Sequence, residues 1–225
     1  MNQNKNNSLI NGFFWAIVDK GGQLCLQFSA LIILSRILTP YDFGVIGVLT
    51  VFINISVMLI DSGMVGALIK KKNPKKEDYS TLFIFNFSLS FILVIIFHFT
   101  APFISSFYGL PELDLIIRVL SISIIFNALG LIQVVKITKE LNFKRLAVIT
   151  LSSQILSVTV ALIVAMHDFG VWALVALQVS QSFFNTFLLI ISNRYIPSLH
   201  FSFHSFKEQF TFGAPLLGAN LLNVI

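Results

Sequence analysis

The sequence predicts an all-α, polytopic integral membrane protein, and three observations carry that prediction. Of the 225 residues, 56% are hydrophobic and only 11% are charged, against about 25% charged in soluble globular domains. The apolar residues gather into runs long enough to cross a hydrocarbon core about 30 Å thick, which takes roughly 20 helical residues. The charges fall almost entirely in the short connectors between those runs.

Six runs and the start of a seventh are legible, at about 13–34, 44–69, 80–104, 113–135, 147–166 and 171–193, then from about 209 to the end. Lipid offers no partner to backbone N–H and C=O groups, so each run satisfies its own as a helix. Barrel strands would alternate in polarity, and Phe91–Ile96 and Phe187–Ile191 do not. The first run carries Asp19 and Lys20 in its interior and has no compact leader pattern, so it reads as a permanent helix. Turn residues mark the connectors Leu38-Thr39-Pro40-Tyr41, Tyr108-Gly109-Leu110-Pro111 and His167-Asp168-Phe169-Gly170, and connectors this short make neighbouring spans antiparallel. The expected organisation is a six-helix lobe over 1–194, a cytoplasmic linker over 195–208 containing Pro197, and an incomplete seventh helix over 209–225. The short final run gives the expectation of a chain that stops partway through a larger membrane architecture.

The formal charge of +5 is a matter of topology. With the N-terminus inside, the inner segments hold Lys5, the cluster Lys70, Lys71, Lys72, Lys75 and Lys76, then Lys136, Lys139, Lys144, Arg145, Arg194 and Lys207. The outer connectors hold only Arg36, with Lys20 and Arg118 inside spans. The excess of basic residues on one side sets a cytoplasmic N-terminus. Spans bracket the lysine cluster, which argues against a nucleic-acid partner and for contact with membrane lipids.

Ionisable groups within a bilayer cost roughly 2.5–3.5 kcal/mol each on insertion scales, so they face a bundle interior or a wet cavity. Asp19, Gln23 and Gln27 recur every four residues on one face of the first span, beside Lys20. Asn54 and Asp61 repeat at seven in the second span, Asn86 and Ser90 share a face of the third, Arg118 and Ser121 one of the fourth, and Gln178, Gln181, Ser182 and Asn185 line the sixth. Two readings stand side by side: a substrate cavity lined by Lys20, Arg118, Asp19, Gln23, Gln27, Asp61, Asn54, Gln178 and Gln181, or hydrogen bonds between helices. Asp19 is also placed to pair with Lys20, and Arg118 to snorkel to the near surface. No catalytic constellation, phosphate loop or metal motif is present, so neither an enzyme nor a cofactor is expected. Cys25 is alone, and the spacing of His200 and His204 has no acidic or thiol partner nearby.

Five stretches then acquire a meaning together. Ser35-Arg36-Ile37-Leu38-Thr39-Pro40-Tyr41-Asp42-Phe43-Gly44 resembles the first-loop signature of Wzx-type polysaccharide and O-antigen flippases of the multidrug/oligosaccharidyl-lipid/polysaccharide exporter superfamily. In register with it come Asp61-Ser62-Gly63 through Lys71, Phe107-Tyr108 with Pro111-Glu112-Leu113 and Arg118-Val119-Leu120, Phe169-Gly170-Val171-Trp172, and Phe212-Gly213-Ala214-Pro215. The resemblance covers nearly the whole chain. It implies the N-terminal lobe of a two-lobed transporter in the bacterial inner membrane that moves undecaprenyl-pyrophosphate-linked oligosaccharide by alternating access, in polysaccharide or lipopolysaccharide biosynthesis. Polymerase and glycosyltransferase partners are implied with it, and Lys20 and Arg118 would offset the head group's charge. A cation-coupled small-molecule exporter, in which Asp19 and Asp61 hold the ion, and a non-transporting scaffold for assembly enzymes are the other readings. An integral membrane glycosyltransferase is disfavoured by the lack of a large outer loop or an acidic catalytic pair.

Overall fold

The computed structural model describes residues 2–61, 63–195 and 197–222, with side chains described from Gly12 onward apart from Leu217 and the residues after Gly218. The expectations attached to Lys5, Ser62 and the last residues of the seventh run therefore lie outside what is described. The described residues form eight helices and no strand: α1 (Asn2–Leu34), α2 (Pro40–Asp61), α3 (Met64–Lys70), α4 (Lys76–Tyr108), α5 (Glu112–Lys139), α6 (Phe143–Met166), α7 (Trp172–Asn193) and α8 (Phe203–Leu222). Six stretches are long and apolar enough to cross a membrane: Gly12–Leu34, Pro40–Lys70, Lys76–Tyr108, Glu112–Lys139, Phe143–Met166 and Trp172–Asn193. The chain is an all-α, multi-pass membrane protein.

The helix ends are set by the residues that apolar patterning does not see. Pro40 opens α2 with Thr39 as its cap. The Thr39 backbone N–H and hydroxyl donate to Asp42 Oδ2 at 2.8 and 2.7 Å, and the Asp42 N–H reaches back to Thr39 Oγ1 at 3.4 Å. This is a reciprocal capping box with proline at the first helical position. The Lys75 N–H donates to Asp78 Oδ2 at 2.8 Å and opens α4. Gly109, at φ 66°, closes α4, with Leu110 N–H donating to Ser105 O at 3.1 Å. Thus α4 runs beyond the expected 80–104 at both ends.

The second run departs from a single span over 44–69. Helix α2 ends at Asp61, Gly63 adopts φ 67°, and α3 starts at Met64. A Cβ on Gly63 would lie 2.2 Å from the Gly213 carbonyl oxygen of α8. The break therefore exists where a second backbone crosses too closely for any side chain, in a conformation glycine adopts without cost.

The packing is a row, α4–α5–α7–α6–α1, with α2 against α5, α4 and α7. Helix α5 is its spine, burying Leu113, Ile116, Leu120, Ile124, Ala128 and Ile132. Helix α8 starts at Phe203, earlier than 209, and packs on α3, α4 and α2. The connector before it folds onto the lobe: Ser202 N–H donates to Thr81 Oγ1 at 3.0 Å, and Ser198 and Ser80 hydroxyls meet at 2.6 Å.

Candidate functional site

Polar side chains gather at three places. At the α1–α6 contact, the buried Asp19 carboxylate accepts from Gln23 Nε2 at 2.7 Å and from Thr150 Oγ1. Lys20 is exposed and no ion pair joins it to Asp19 among the described residues. Successive helical residues point about 100° apart, so Asp19 turns toward α6 and Lys20 away from it. Gln27, two turns beyond Asp19, is exposed.

In the bundle interior, Gln181 Oε1 accepts from Ser157 Oγ at 2.5 Å and ties α7 to α6. Gln178 lies half-buried one turn earlier, and its carbonyl accepts from Ser182, which Asn127 Nδ2 reaches at 3.5 Å. Asn54 is exposed on α2, whereas Asp61 is half-buried and its Oδ1 is buried with no hydrogen-bond partner. Arg118 forms a two-nitrogen contact with Asp114, Nε at 3.1 Å and Nη2 at 3.0 Å, in the first turns of α5. Thr150, the partner of Asp19, lies in the first half of α6, which starts at the opposite end of the bundle. The structure thus joins Asp19 with Gln23, and Gln181 with α6, but sets Lys20 and Arg118 in opposite halves. A separate apolar groove of about 800 Å³ between α5, α6 and α7, walled by Phe126, Trp172 and Phe183, includes none of these polar groups.

The third gathering went unread in the sequence. At the lysine-rich end, Lys139 Nζ donates to the carbonyls of Leu68, Ile69 and Lys71 at 3.0, 3.2 and 2.6 Å, closing the C-terminus of α3. These are the unpaired carbonyls of a helix end, with the negative pole of its dipole, so an ammonium suits them. Lys71 bridges Asp78 at 3.1 Å and Glu208 at 2.8 Å. Burial works against its charge, but the Glu208 and Asp78 carboxylates outweigh it and hold the ammonium above the ordinary lysine value. Gln133 takes Asn193 Nδ2 at 2.8 Å and donates to Tyr195 O at 2.7 Å, and Lys136 sits 3.8 Å over the Tyr195 ring. Burial raises the Tyr195 phenol above its usual value. Read as topology signals, these lysines gave no hint of such partners, because the carbonyls they meet are brought by distant helices. No group of three or more His, Cys, Asp and Glu side chains lies together among the described residues.

Two of the signature stretches also meet others across the fold. A Cβ on Gly170, whose φ is 53°, would lie 3.1 Å from Asp42 Oδ1, so the first-loop cap packs on the α6–α7 turn. Gly63 meets Gly213 in the same way. The family model described as polysaccharide biosynthesis protein matches residues 33–225, which takes in all of these joints. The chain belongs to that family. It is similar to the succinoglycan biosynthesis transport protein ExoT of Rhizobium meliloti, 26% identical over 94% of this chain and 43% of that protein. It is similar also to the lipopolysaccharide biosynthesis protein WzxC of Escherichia coli (25% identical, 96% of this chain, 44% of that one) and to the teichuronic acid biosynthesis protein TuaB of Bacillus subtilis (28%, 77% and 36%). The chain spans less than half the length of these relatives. No solved structure matches it. Family and helices together make this a membrane protein of the polysaccharide biosynthesis family.

Proposed function

We propose that the chain works as the N-terminal lobe of a flippase that moves an undecaprenyl-pyrophosphate-linked oligosaccharide across the bacterial inner membrane by alternating access. The observation that carries the reading is the family match over residues 33–225 on a bundle of six apolar stretches. The succinoglycan relative is a biosynthesis transport protein by name. The basic residues collected at the Lys70–Lys76 and Lys139 end support a cytoplasmic N-terminus. Lys20, exposed on α1 and free of an acidic partner among the described residues, is suited to meet an anionic head group, whereas Arg118 is already engaged by Asp114. An anionic pyrophosphate passing a lone ammonium in a low-dielectric path gains far more than it would in water.

The test is complementation of a flippase-null bacterial strain, reading surface polysaccharide by gel and lectin binding while membrane protein levels are held equal. Restoration when the lobe is expressed joined to a second lobe of the same family, and its loss in Lys20→Ala, are expected. Normal expression with lipid-linked oligosaccharide still trapped on the inner face would refute the flippase; full export by Lys20→Ala would refute the role of Lys20.

A further inference from the structure

Helix α7 packs broadly on both α5 and α6, whereas α5 and α6 scarcely touch each other. The space this leaves is the apolar groove of about 800 Å³, within the size range of ordinary ligand sites. Ala176, Val179 and Ser180 of α7 form its floor, with Ile122 of α5 on one side and Val160 and Val164 of α6 on the other. The Ser180 hydroxyl donates to the Ala176 and Leu177 carbonyls of its own helix, so the floor makes no polar demand. Toward the middle of the bundle the Phe126 and Phe183 rings meet edge to face, centroids 5.4 Å apart. Phe169 and Trp172 stand at the other end, at the α6–α7 connector. From Trp172 to Phe183 helix α7 rises roughly 16–17 Å at 1.5 Å per residue, close to the ~15 Å of one leaflet in a hydrocarbon core about 30 Å thick. The groove faces away from the rest of the lobe: Ile122 is 42% exposed, while α2 packs on the buried Leu113, Leu120 and Ile124 stripe across α5.

We propose that this groove is a lipid site that holds one acyl chain of phosphatidylethanolamine, from the leaflet at the end away from the lysine cluster. The charges at its mouth select the head group. Helices α5 and α7 both start at this end, and the Phe126–Phe183 contact sets their register, so Trp172 stands level with Leu115. Arg118 follows three residues deeper, beside the lining residue Val119, and its guanidinium reaches back to Asp114 at 3.0 Å, which brings it to the mouth. That contact engages Nε and Nη2 and leaves Nη1 without a partner among the described residues, so donors remain for a phosphate. Asp168 is exposed directly before Phe169. One guanidinium with two carboxylates matches a head group of both signs, phosphate on Arg118 and ammonium toward Asp114 and Asp168. A purely anionic lipid would meet the two carboxylates with nothing to offer them. Hydrocarbon gains little by exchanging lipid for an apolar wall, so shape and head group decide what stays. An unfilled groove forfeits the dispersion contacts of its lining. A chain of one leaflet's length fills it, whereas an undecaprenyl chain is far longer than the groove.

The test measures binding alone, so it stands or falls apart from the flippase reading. The chain has two tryptophans, and with Trp15→Phe in α1 the remaining one, Trp172, reports on the groove. This protein in phosphatidylcholine nanodiscs is titrated with chain-brominated phosphatidylethanolamine or phosphatidylglycerol, and the quenching of Trp172 is followed. Saturable quenching is expected, with phosphatidylethanolamine half-saturating at a mole fraction about fivefold lower, the scale of a charge-assisted contact. Asp168→Asn should narrow that gap, since asparagine tolerates the left-handed backbone of φ 58° there. Arg118→Gln should weaken both lipids, and Ala176→Leu, which raises the floor, should do the same; the half-exposed Arg118 position keeps the test open if Ala176→Leu does not fold. Four results overturn the proposal: quenching that rises in proportion to mole fraction and alike for both lipids, which is ordinary boundary lipid; phosphatidylglycerol bound as tightly or more tightly; quenching by phosphatidylethanolamine unchanged in Arg118→Gln; and displacement of the brominated lipid by undecaprenyl phosphate more readily than by plain phosphatidylethanolamine.

Discussion

Gly63 and Gly109 form a matched pair that separates two costs usually measured together. Both adopt the left-handed region, at φ 67° and 66°. A Cβ on Gly109 meets nothing within 4 Å, whereas one on Gly63 meets the Gly213 carbonyl oxygen at 2.2 Å. Gly109→Ala therefore reads the backbone cost alone, about 1–2 kcal/mol. Gly63→Ala adds the displacement of a backbone by about 1 Å to reach ordinary contact, and overpacking of this kind costs roughly 1–3 kcal/mol more. For a chain of this size 1 kcal/mol is about 2–4 °C, so Gly109→Ala should lower the apparent midpoint by roughly 2–8 °C and Gly63→Ala by roughly 4–20 °C. Detergent-solubilised protein, followed by fluorescence-detected size exclusion after heating, gives the comparison at one scan rate. If Gly63→Ala were no worse than Gly109→Ala, the close crossing of α8 over the α2–α3 break would be wrong.

Three further outcomes follow from the described contacts. Lys139→Met should destabilise by about 2–4 kcal/mol, since three helix-end carbonyls lose a charged donor, and amide hydrogen exchange should quicken around α3 before it does elsewhere. The Lys71 ammonium is stabilised in the folded state above the unfolded lysine value of about 10.4; its contribution is complete below that pH and fades as pH rises through the folded value. Thermal unfolding from pH 9 to 11.5 should show an alkaline loss that Lys71→Met abolishes. Arg118→Gln removes a half-exposed i, i+4 pair, worth about 0.3–0.5 kcal/mol, and its midpoint should stay within about 2 °C of the parent.

The spans were legible because lipid demands length and apolarity of each one separately, a local property that composition displays. The connectors at Thr39-Pro40 and Gly109-Leu110-Pro111 were legible as turns, but apolar patterning stopped short of the helix ends that Thr39 and Gly109 set, because those end turns are polar or aromatic. Asp61 with Gly63 was legible as a helix end, but the reason for it was not, because the run stays apolar on both sides. What forces the break is Gly213, one hundred and fifty residues later. The polar candidates divide on the same line. Asp19 and Gln23 share a helix face and duly bond, but their third partner, Thr150, belongs to a helix that spacing within α1 says nothing about. Asn86 and Ser90 were rightly placed on one face, yet that Asn86 finds no partner while Ser90 bonds its own Phe87 carbonyl is a matter of packing alone. Lys139 resembled every other orienting lysine until α3 ended beneath it.

The arrangement of α1 has a consequence for how the protein is made. It is the least apolar of the six stretches, and it packs chiefly on α6. Thr150, which satisfies Asp19, lies 131 residues downstream. At roughly 5–20 residues per second of synthesis, α1 leaves the ribosome some 7–26 s before its partner exists. During that interval the Asp19 carboxyl has only Gln23, four residues along its own helix, for company. The first helix to reach the membrane thus waits for most of the lobe to be made, and a nascent chain stalled before residue 150 should expose α1 to quality-control proteases that the completed bundle resists.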